Sequence, residues 1–304
     1  MSAPVTGRRG GPATKRPAVA RRGGPGWFKR VGWRHVVGVV GVAFALFPIL
    51  FVLSAALNPR GTLSSTSAVP TGASAENLLN LLRTTSFGRW YVNSVLIAAL
   101  SAAASVFLST LAAYAFSRLR FAGRRVGLLS LLLIQMFPQF LAIVAIFLML
   151  TTITDYWPGI GFNTPWAVVL LYLGGALGVN TWLMKGFFDT VPRELDESAT
   201  MDGATHTQVF FRIILPLVAP ILAVTGLLAF IGTINEFLIA NVFLTDGSSK
   251  TLAVGLYSLI AGERNDNFGM FCAGSLLTAI PTVVVFQLLQ RYIVSGLTAG
   301  AVKG

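Results

Sequence analysis

Residues 190–212 form a polar, charge-rich segment between two long apolar runs, and their spacing is the most specific chemical signal in the sequence. Pro192 suits the first turn of a helix, where its missing N–H would have no partner, and carboxylates near that end favour the helix dipole. We therefore predict a helix that starts at 190–192 and presents acids to a partner protein. Its acidic residues are Glu194, Asp196, Glu197 and Asp202.

Gly203 follows this helix and can leave right-handed helical geometry at little cost. Thr205 and Gln208, three positions apart, fit a capping box that opens a second helix. The first helix is too short and too acidic to cross a bilayer, whereas the second runs into apolar sequence from Ile213. We predict a helix, a break at the membrane surface and a second helix. The alternative is an ordinary loop helix whose acids serve only its own dipole.

Motifs of catalysis are absent from the sequence. There is no G-x-x-x-x-G-K-[ST] phosphate loop and no H-E-x-x-H zinc motif, and the two histidines, His35 and His206, stand alone. Cys272 is the only cysteine, so neither an intrachain disulfide nor a cysteine cluster for a metal can form. We predict that the chain is not an enzyme and holds no cofactor or metal, so any ATP and Mg²⁺ must be bound by another chain.

The composition is that of an all-α membrane protein. Hydrophobic residues make up 54% of the chain and charged residues only 11%, whereas soluble domains average about 25% charged residues. Six charge-poor runs lie near or above the roughly 20 residues that cross a bilayer, and we predict them as transmembrane helices. They are approximately 36–57, 91–117, 126–151, 165–184, 213–240 and 270–290.

Positive charge indicates the orientation in the membrane. The sequence has 23 Lys and Arg residues, and 18 of them fall on the side of the membrane that holds both termini. Only five fall on the opposite side: Arg60, Arg83, Arg89, Lys250 and Arg264. This asymmetry places both termini in the cytoplasm. The net charge of +12 then reflects topology and anionic lipid. Nucleic-acid binding is disfavoured, because the tail 1–35 is rich in Pro, Gly and Ala and is predicted to be disordered.

The polar segment also resembles a known motif. From Glu197 it reads Glu-Ser-Ala, three residues, Gly203, nine residues, Ile213, one residue and Leu-Pro. This resembles the EAA motif of ABC importer permeases, with Ser198 where the motif usually has Ala. The resemblance implies that the segment couples the membrane helices to a separate ATPase. The coupling residues would be Glu197, Ser198, Ala199, Asp202, Gly203, Ile213, Leu215 and Pro216.

Four further stretches, 135–138, 172–175, 251–255 and 296–304, look like MalG-type permease subunits of maltose importers. That resemblance implies the type I ABC importer permease fold, with six transmembrane helices and a cytoplasmic coupling helix, in the inner membrane of a bacterium. The implied function is a permease subunit that moves maltose- or maltodextrin-like sugars by alternating access. The implied partners are a MalF-like second permease, an ATPase dimer, an extracytoplasmic sugar-binding protein and membrane lipid.

Two alternatives stay open at the level of sequence. The chain could be an ABC importer permease for another solute, such as trehalose, another oligosaccharide or a non-sugar. It could also be a membrane scaffold or receptor without transport, although the coupling motif argues against that class.

Residues for a solute path are less clearly marked. Gln135 and Gln139 lie one turn apart around Pro138, which bends a helix and frees a carbonyl. Their amides either line the path or hydrogen-bond a neighbouring helix.

Glu236 is costly inside hydrocarbon and is predicted to face a cavity or a partner, with a position at the headgroups as the alternative. Ser275 and Thr278 share a face of the sixth run and serve either packing or the path.

Overall fold

The computed structural model describes residues 31–59, 61–67, 72–262 and 267–301. Most of the predicted basic tail, and residues 302–304 of the C-terminal resemblance, lie outside these ranges. The chain divides into two compact units, Met1–Ile49 and Leu50–Gly304. The described part of the first unit belongs mainly to the apolar helix α1, Trp33–Leu57.

Every regular element within the described ranges is a helix, which confirms the all-α class. After α1 the α-helices are α2 Glu76–Thr84, α3 Phe87–Arg118, α4 Arg124–Gln135, α5 Ile143–Tyr156, α6 Pro165–Thr190, α7 Glu194–Met201, α8 His206–Val209, α9 Leu215–Leu217, α10 Ala219–Ile234, α11 Leu238–Phe243, α12 Leu252–Ile260 and α13 Phe268–Ala301. A π-helical turn, Phe210–Ile214, joins α8 to α9.

Three helices are long and apolar enough to cross a membrane as single elements: α1, α3 and the Phe268–Ile293 part of α13. They coincide with the first, second and sixth predicted runs. The count rises to at most five when each of two bent helix pairs is taken as one span. Six uninterrupted spans are therefore not found in the described residues.

The third predicted run, 126–151, is wrong as one helix. It forms α4 and α5, separated by a break at 136–138 and the short 3₁₀ turn Gln139–Ala142. Pro138 has no N–H to give to a helical hydrogen bond, and its ring clashes with the preceding turn. The bend anticipated at Pro138 is therefore a complete interruption.

The fourth and fifth runs are bent. α6 continues past 184 to Thr190 and turns by 53° between Pro165–Gly175 and Leu177–Thr190. The fifth run turns by 75° between His206–Leu217 and Ala219–Ile234, and then ends before α11. The prediction of one continuous helix over 213–240 is wrong, because Pro220 follows the bend and lacks an N–H.

In the second unit, α3 is the central helix and packs against both α6 and α10. α13 packs on α10 and on the short helices α2 and α12. Buried small residues on α3, including Ser105 and Ser109, let the neighbouring backbones approach closely. The beginning of α3 holds the 244–251 loop, because Trp90 Nε1 donates to the Gly247 carbonyl at 2.7 Å. The end of α3, at Arg118, meets the polar segment.

Candidate functional site

The short acidic helix α7 begins at Glu194, later than predicted. Residues up to Thr190 belong to α6, and the Val191 N–H still bonds the Phe188 carbonyl at 3.2 Å. The predicted start at 190–192 is therefore wrong, because the preceding helix does not end where its apolar residues end. The N–H of Leu195 bonds the carbonyl of Pro192 at 3.4 Å, so Pro192 lies in the turn that leads into α7.

Gly203 ends α7, as predicted. Its φ is +86°, and no atom lies within 4 Å of where a Cβ would be. The Gly203 N–H bonds the Thr200 carbonyl and the Ala204 N–H bonds the Ala199 carbonyl, both at 3.0 Å. These two bonds make a Schellman motif, which satisfies the last carbonyls of the helix. Glycine is required here by the left-handed backbone and not by crowding.

The predicted capping box opens the next helix. The Gln208 N–H donates to Thr205 Oγ1 at 3.3 Å, and the Thr205 N–H donates to Gln208 Oε1 at 2.8 Å. The Schellman motif ends at Ala204, one residue before the capping box begins at Thr205. Hydrogen bonds therefore hold the backbone between α7 and α8 on both sides of the turn.

The motif residues divide between a buried and an exposed side. Ala199 is buried in a cluster with Met184, Phe188 and Phe210, and Ile213 and Leu215 pack against that cluster. Glu197, Ser198, Asp202, Gly203 and Pro216 are exposed.

The exposed side of α7 also presents apolar surface. Met201 is 89% exposed and Leu195 is 41% exposed, beside the carboxylate of Glu197. A helix surface that combines an exposed methionine and leucine with acids is suited to a protein partner.

An ion pair that the sequence analysis missed fixes α7 to the end of α3. Arg118 Nε lies 2.9 Å from Asp196 Oδ2, and the two side chains are only 6% and 21% exposed. Arg118 also donates to the Val191 carbonyl at 2.8 Å. In the sequence analysis Arg118 is only one of the positive charges that indicate orientation. The available hint of an ion pair was its position at the end of an apolar run, with an acidic helix later in the chain.

A second contact holds the end of α6 against the same place. Ser117 Oγ donates to Asp189 Oδ1 at 2.6 Å, and Arg193 donates to the Ser117 carbonyl at 3.2 Å. Lys185 pairs with Asp189 one turn earlier on α6. Helices α3, α6 and α7 are thus joined by polar contacts at one end of the bundle.

Gln135 bonds the backbone of a neighbouring helix. Its Nε2 donates to the Gly175 carbonyl, and its Oε1 accepts from the Val179 N–H at 2.8 Å. In a regular helix that carbonyl and that N–H would bond each other. The side-chain amide of Gln135 therefore replaces one backbone hydrogen bond of α6, at the place where that helix bends. A Cβ at Gly178 would collide with the Gln135 side chain.

The remaining predicted path residues are not brought together. Gln139 lies in the turn after the α4 break, and its side chain is outside the described part. Ser275 Oγ donates to the Phe271 carbonyl at 2.8 Å and Thr278 Oγ1 to the Gly274 carbonyl at 2.9 Å. Both hydroxyls are thus bonded to their own helix.

Glu236 is partly buried and bonded on both carboxylate oxygens. Tyr172 Oη donates to Oε2 at 2.5 Å, the Ile239 N–H to Oε1 at 2.8 Å, and the Ala240 N–H to Oε2 at 3.1 Å. The carboxylate lines a cavity of about 400 Å³, together with Ser101 and Asn180. The structure therefore gives Glu236 a cavity and a partner, as its position in an apolar run predicted.

Among the described residues, no group of three or more His, Cys, Asp or Glu could hold a metal ion. The absence of a cofactor from this chain stays a prediction.

The chain resembles known transport proteins over most of its length. Residues 105–298 match the family model described as "Binding-protein-dependent transport system inner membrane component". The galactooligosaccharides transport system permease protein GanQ of Bacillus subtilis (strain 168) is 41% identical over 262 residues, which are 85% of this chain and 90% of GanQ. The maltose/maltodextrin transport system permease protein MalG of Escherichia coli (strain K12) is 38% identical over 283 residues, 89% of this chain and 95% of MalG.

A solved structure has the same fold. A chain of a bacterial ABC transporter involved in the import of the acidic polysaccharide alginate superposes with a TM-score of 0.71 at 20% identity. The match covers 88% of this chain and 98% of that one. At this identity the likeness concerns the fold alone.

Proposed function

The chain belongs to the family of binding-protein-dependent transport system inner membrane components, and we propose that it is the permease subunit of an ATP-driven carbohydrate importer. The names of its relatives refer to galactooligosaccharides, maltose and maltodextrin. Neutral oligosaccharides of the maltose and maltodextrin type are the solutes we propose.

One observation carries the proposal: α7 is a short acidic helix with a fixed base and an exposed face. Its base is held by the Arg118–Asp196 ion pair, and its face carries Glu197 and the 89% exposed Met201. An exposed methionine next to carboxylates needs a partner surface with an apolar pocket and positive charge. We assign that partner role to a separate ATPase, which binds the ATP and Mg²⁺ that this chain has no motif to bind.

The same contacts provide a route from the ATPase to the membrane helices. A displacement of α7 acts on α3 through Arg118, and on α8 through the hydrogen-bonded turn at Gly203 and Thr205. α8 leads through Ile213, Leu215 and the 75° bend to α10, which packs on α3 and α13. Movement of α7 would thus shift the helices that border the polar cavity. This is the arrangement that alternating access requires.

The proposal includes an assembly and an orientation. The partners are a MalF-like second permease, a dimeric ATPase, an extracytoplasmic sugar-binding protein and membrane lipid, without nucleic acid. Both termini and α7 lie in the cytoplasm, and the chain crosses the inner membrane six times in the type I importer fold. The bent and interrupted helices, α4 with α5 among them, count among these crossings.

Uptake by the assembled importer tests this function. The chain would be co-produced with the permease, ATPase and binding protein encoded beside it, and the complex reconstituted in lipid vesicles. We expect uptake of labelled maltotriose or of a galactooligosaccharide that requires both ATP and the binding protein. ATP-dependent uptake of an amino acid or an ion, with no uptake of any carbohydrate, would contradict the proposal. Carbohydrate uptake by a complex that contains no ATPase would contradict it as well.

A further inference from the structure

A polar cavity lies about halfway along α3, a helix long and apolar enough to cross a membrane. Ser101 marks its position on α3, whose ends are Phe87 and Arg118. Helices α6, α10 and α11 complete the walls, and the volume of about 400 Å³ falls in the range of roughly 300–1,000 Å³ of small-ligand sites. Polar side chains at this depth of a membrane protein mark solute paths or functional sites more often than packing.

The carboxylate of Glu236 is fixed in the wall and still has hydrogen-bonding capacity. Tyr172 and two backbone N–H groups occupy three of its roughly four lone-pair positions. The hydroxyl of Tyr172 donates its only proton to Glu236, which leaves the oxygen as an acceptor. The pair therefore offers acceptors to a ligand without needing to rearrange.

Two other wall residues have unused polar atoms. Ser101 is 3% exposed, and its Oγ has no hydrogen-bond partner among the described residues. Asn180 donates weakly to Ser105 Oγ, at 3.4 Å. A buried hydroxyl without a partner is unusual, because serines in helices generally bond the carbonyl one turn earlier, as Ser275 does. The cavity thus combines fixed acceptors with a hydroxyl that can both donate and accept.

The charge of the wall selects a class of ligand. Among the described residues that line the cavity there is one carboxylate and no Lys or Arg. Anionic solutes are disfavoured beside an uncompensated carboxylate. Apolar surface from Leu171 and Ile239 suits the C–H faces of a ring. A neutral molecule rich in hydroxyl groups fits each of these features.

We propose that Glu236, Tyr172, Asn180 and Ser101 form a subsite that binds the hydroxyl groups of a neutral carbohydrate during transport. The inference rests on the function proposed above and adds that this permease itself contacts the solute. The external binding protein would deliver the sugar, and the subsite would hold it at the centre of the helix bundle.

The first test compares transport with ATP hydrolysis in the reconstituted importer. Ser101→Ala and Glu236→Gln each remove part of the subsite, and Gly232→Leu fills space where a Cβ meets no atom within 4 Å. Each polar variant should lower maltotriose uptake per ATP hydrolysed about two- to tenfold, the size of one hydrogen bond. Hydrolysis stimulated by the loaded binding protein should stay near that of the unaltered complex, since α7 is untouched.

Thr225→Val is the matched control. Thr225 is a buried polar residue on α10 whose hydroxyl bonds its own helix at Ile221, and it does not line the cavity. Its uptake per ATP should be unchanged. If Ser101→Ala and Gly232→Leu also leave that ratio unchanged, the subsite does not exist. If the unaltered complex takes up no carbohydrate at all, the proposed function fails first, so the two failures are distinguishable.

A second test measures occupancy directly. In a Cys272→Ala background, Gly232→Cys places a thiol on the cavity wall, and Leu228→Cys places one a turn away on an exposed part of α10. Saturating maltotriose with the binding protein should slow modification of the first thiol several-fold by a small neutral reagent, and leave the second unaffected. Equal modification of Gly232→Cys with and without maltotriose would overturn the proposal, whatever the uptake ratios.

Discussion

At Gly203 the backbone adopts a φ of +86° with open space around the α-carbon, so the demand on this residue is purely conformational. For a β-branched residue that conformation costs on the order of 1–3 kcal/mol. The strain would be relieved by changing the angle between α7 and α8. Under the proposed coupling, this single residue would set the direction in which movement of α7 reaches α8.

Replacing Gly203 with valine should leave the complex inserted and assembled, but uncouple ATP hydrolysis from uptake. Asparagine tolerates the left-handed region better, so Gly203→Asn is the control and should retain most of the uptake. The measurement is maltotriose uptake and ATP hydrolysis by the same vesicles. Normal transport by Gly203→Val would show that the break is not needed for coupling.

Two exposed acids on α7 give a matched comparison. Glu197 lies within the motif spacing and Glu194 lies outside it, and both are exposed. If either only served the helix dipole, its removal would cost about 0.3–1 kcal/mol of helix stability. We expect Glu197→Ala to lower sugar-stimulated hydrolysis and to release the ATPase from membranes, whereas Glu194→Ala does much less. Small, equal effects at both positions would show that Glu197 only stabilises its own helix through the helix dipole.

At the scale of elements, two polar contacts connect helices that are distant in sequence. Arg118 fixes α7 to α3, and Gln135 fixes α4 to the bend of α6. The first contact pairs two charges that are largely buried, and the second replaces one backbone hydrogen bond of α6. Both contacts join helices that the lengths of the apolar runs do not identify as neighbours.

The Arg118–Asp196 pair should matter most when it is broken on one side only. Arg118→Ala leaves the partly buried Asp196 carboxylate without its cation, which is more costly than removing both charges. We expect Arg118→Ala to expose the 190–194 turn to limited proteolysis and to lower uptake. Arg118→Ala with Asp196→Ala should be less sensitive to protease than the single variant. Protease resistance equal to that of the unaltered chain in Arg118→Ala would show that the pair does not anchor α7.

Removing the amide of Gln135 should let α6 straighten. In Gln135→Leu the Gly175 carbonyl and the Val179 N–H can bond each other and restore the regular helix. Spin labels at Trp166 and Lys185 should move apart by about 3 Å, the difference between a straight helix and one bent as here. An unchanged distance would mean that the bend has another cause.

Gly178 provides an independent check on that contact. Gly178→Ala places a Cβ against the Gln135 side chain, so it should disturb the bend by itself. Combining it with Gln135→Ala removes the collision and should be milder than Gly178→Ala alone. The measurement is the same pair of spin labels.

For the whole molecule, the distribution of positive charge predicts the orientation in the membrane. Cysteines at Ser64 and Ser248 should react with a membrane-impermeant thiol reagent in intact cells, because they lie on the side with few Lys and Arg. Cysteines at Ser2 and Thr207 should react only after permeabilisation. Ser64, Ser248 and Thr207 are exposed, and the native Cys272 is buried, so background labelling should be low. Labelling of Thr207→Cys from outside would overturn the orientation and ATPase docking at α7.

Local features were determined by the sequence alone. The break at Gly203, the capping box of Thr205 and Gln208, and the apolar helices α1, α3 and α13 all appear where the sequence predicts them. Each depends on interactions between residues a few positions apart, or on composition over one helix. For Glu236 the sequence predicted a cavity or a partner but left a position at the headgroups open, and the structure decided between them.

The tertiary structure decided what depends on which helices become neighbours. Arg118 meets Asp196 across 78 positions, Gln135 meets Gly175 across 40, and Tyr172 meets Glu236 across 64. No periodicity indicates such partners, because hydropathy records only that a segment avoids water. The bend in α6 is of this kind, because it involves the Gln135 amide from another helix, whereas the bend between α9 and α10 lies beside Pro220, which the hydropathy pattern does not register. A bent helix and a straight helix can have the same apolar sequence pattern. What makes the helix bend is an amide from a neighbouring helix or the missing N–H of a proline.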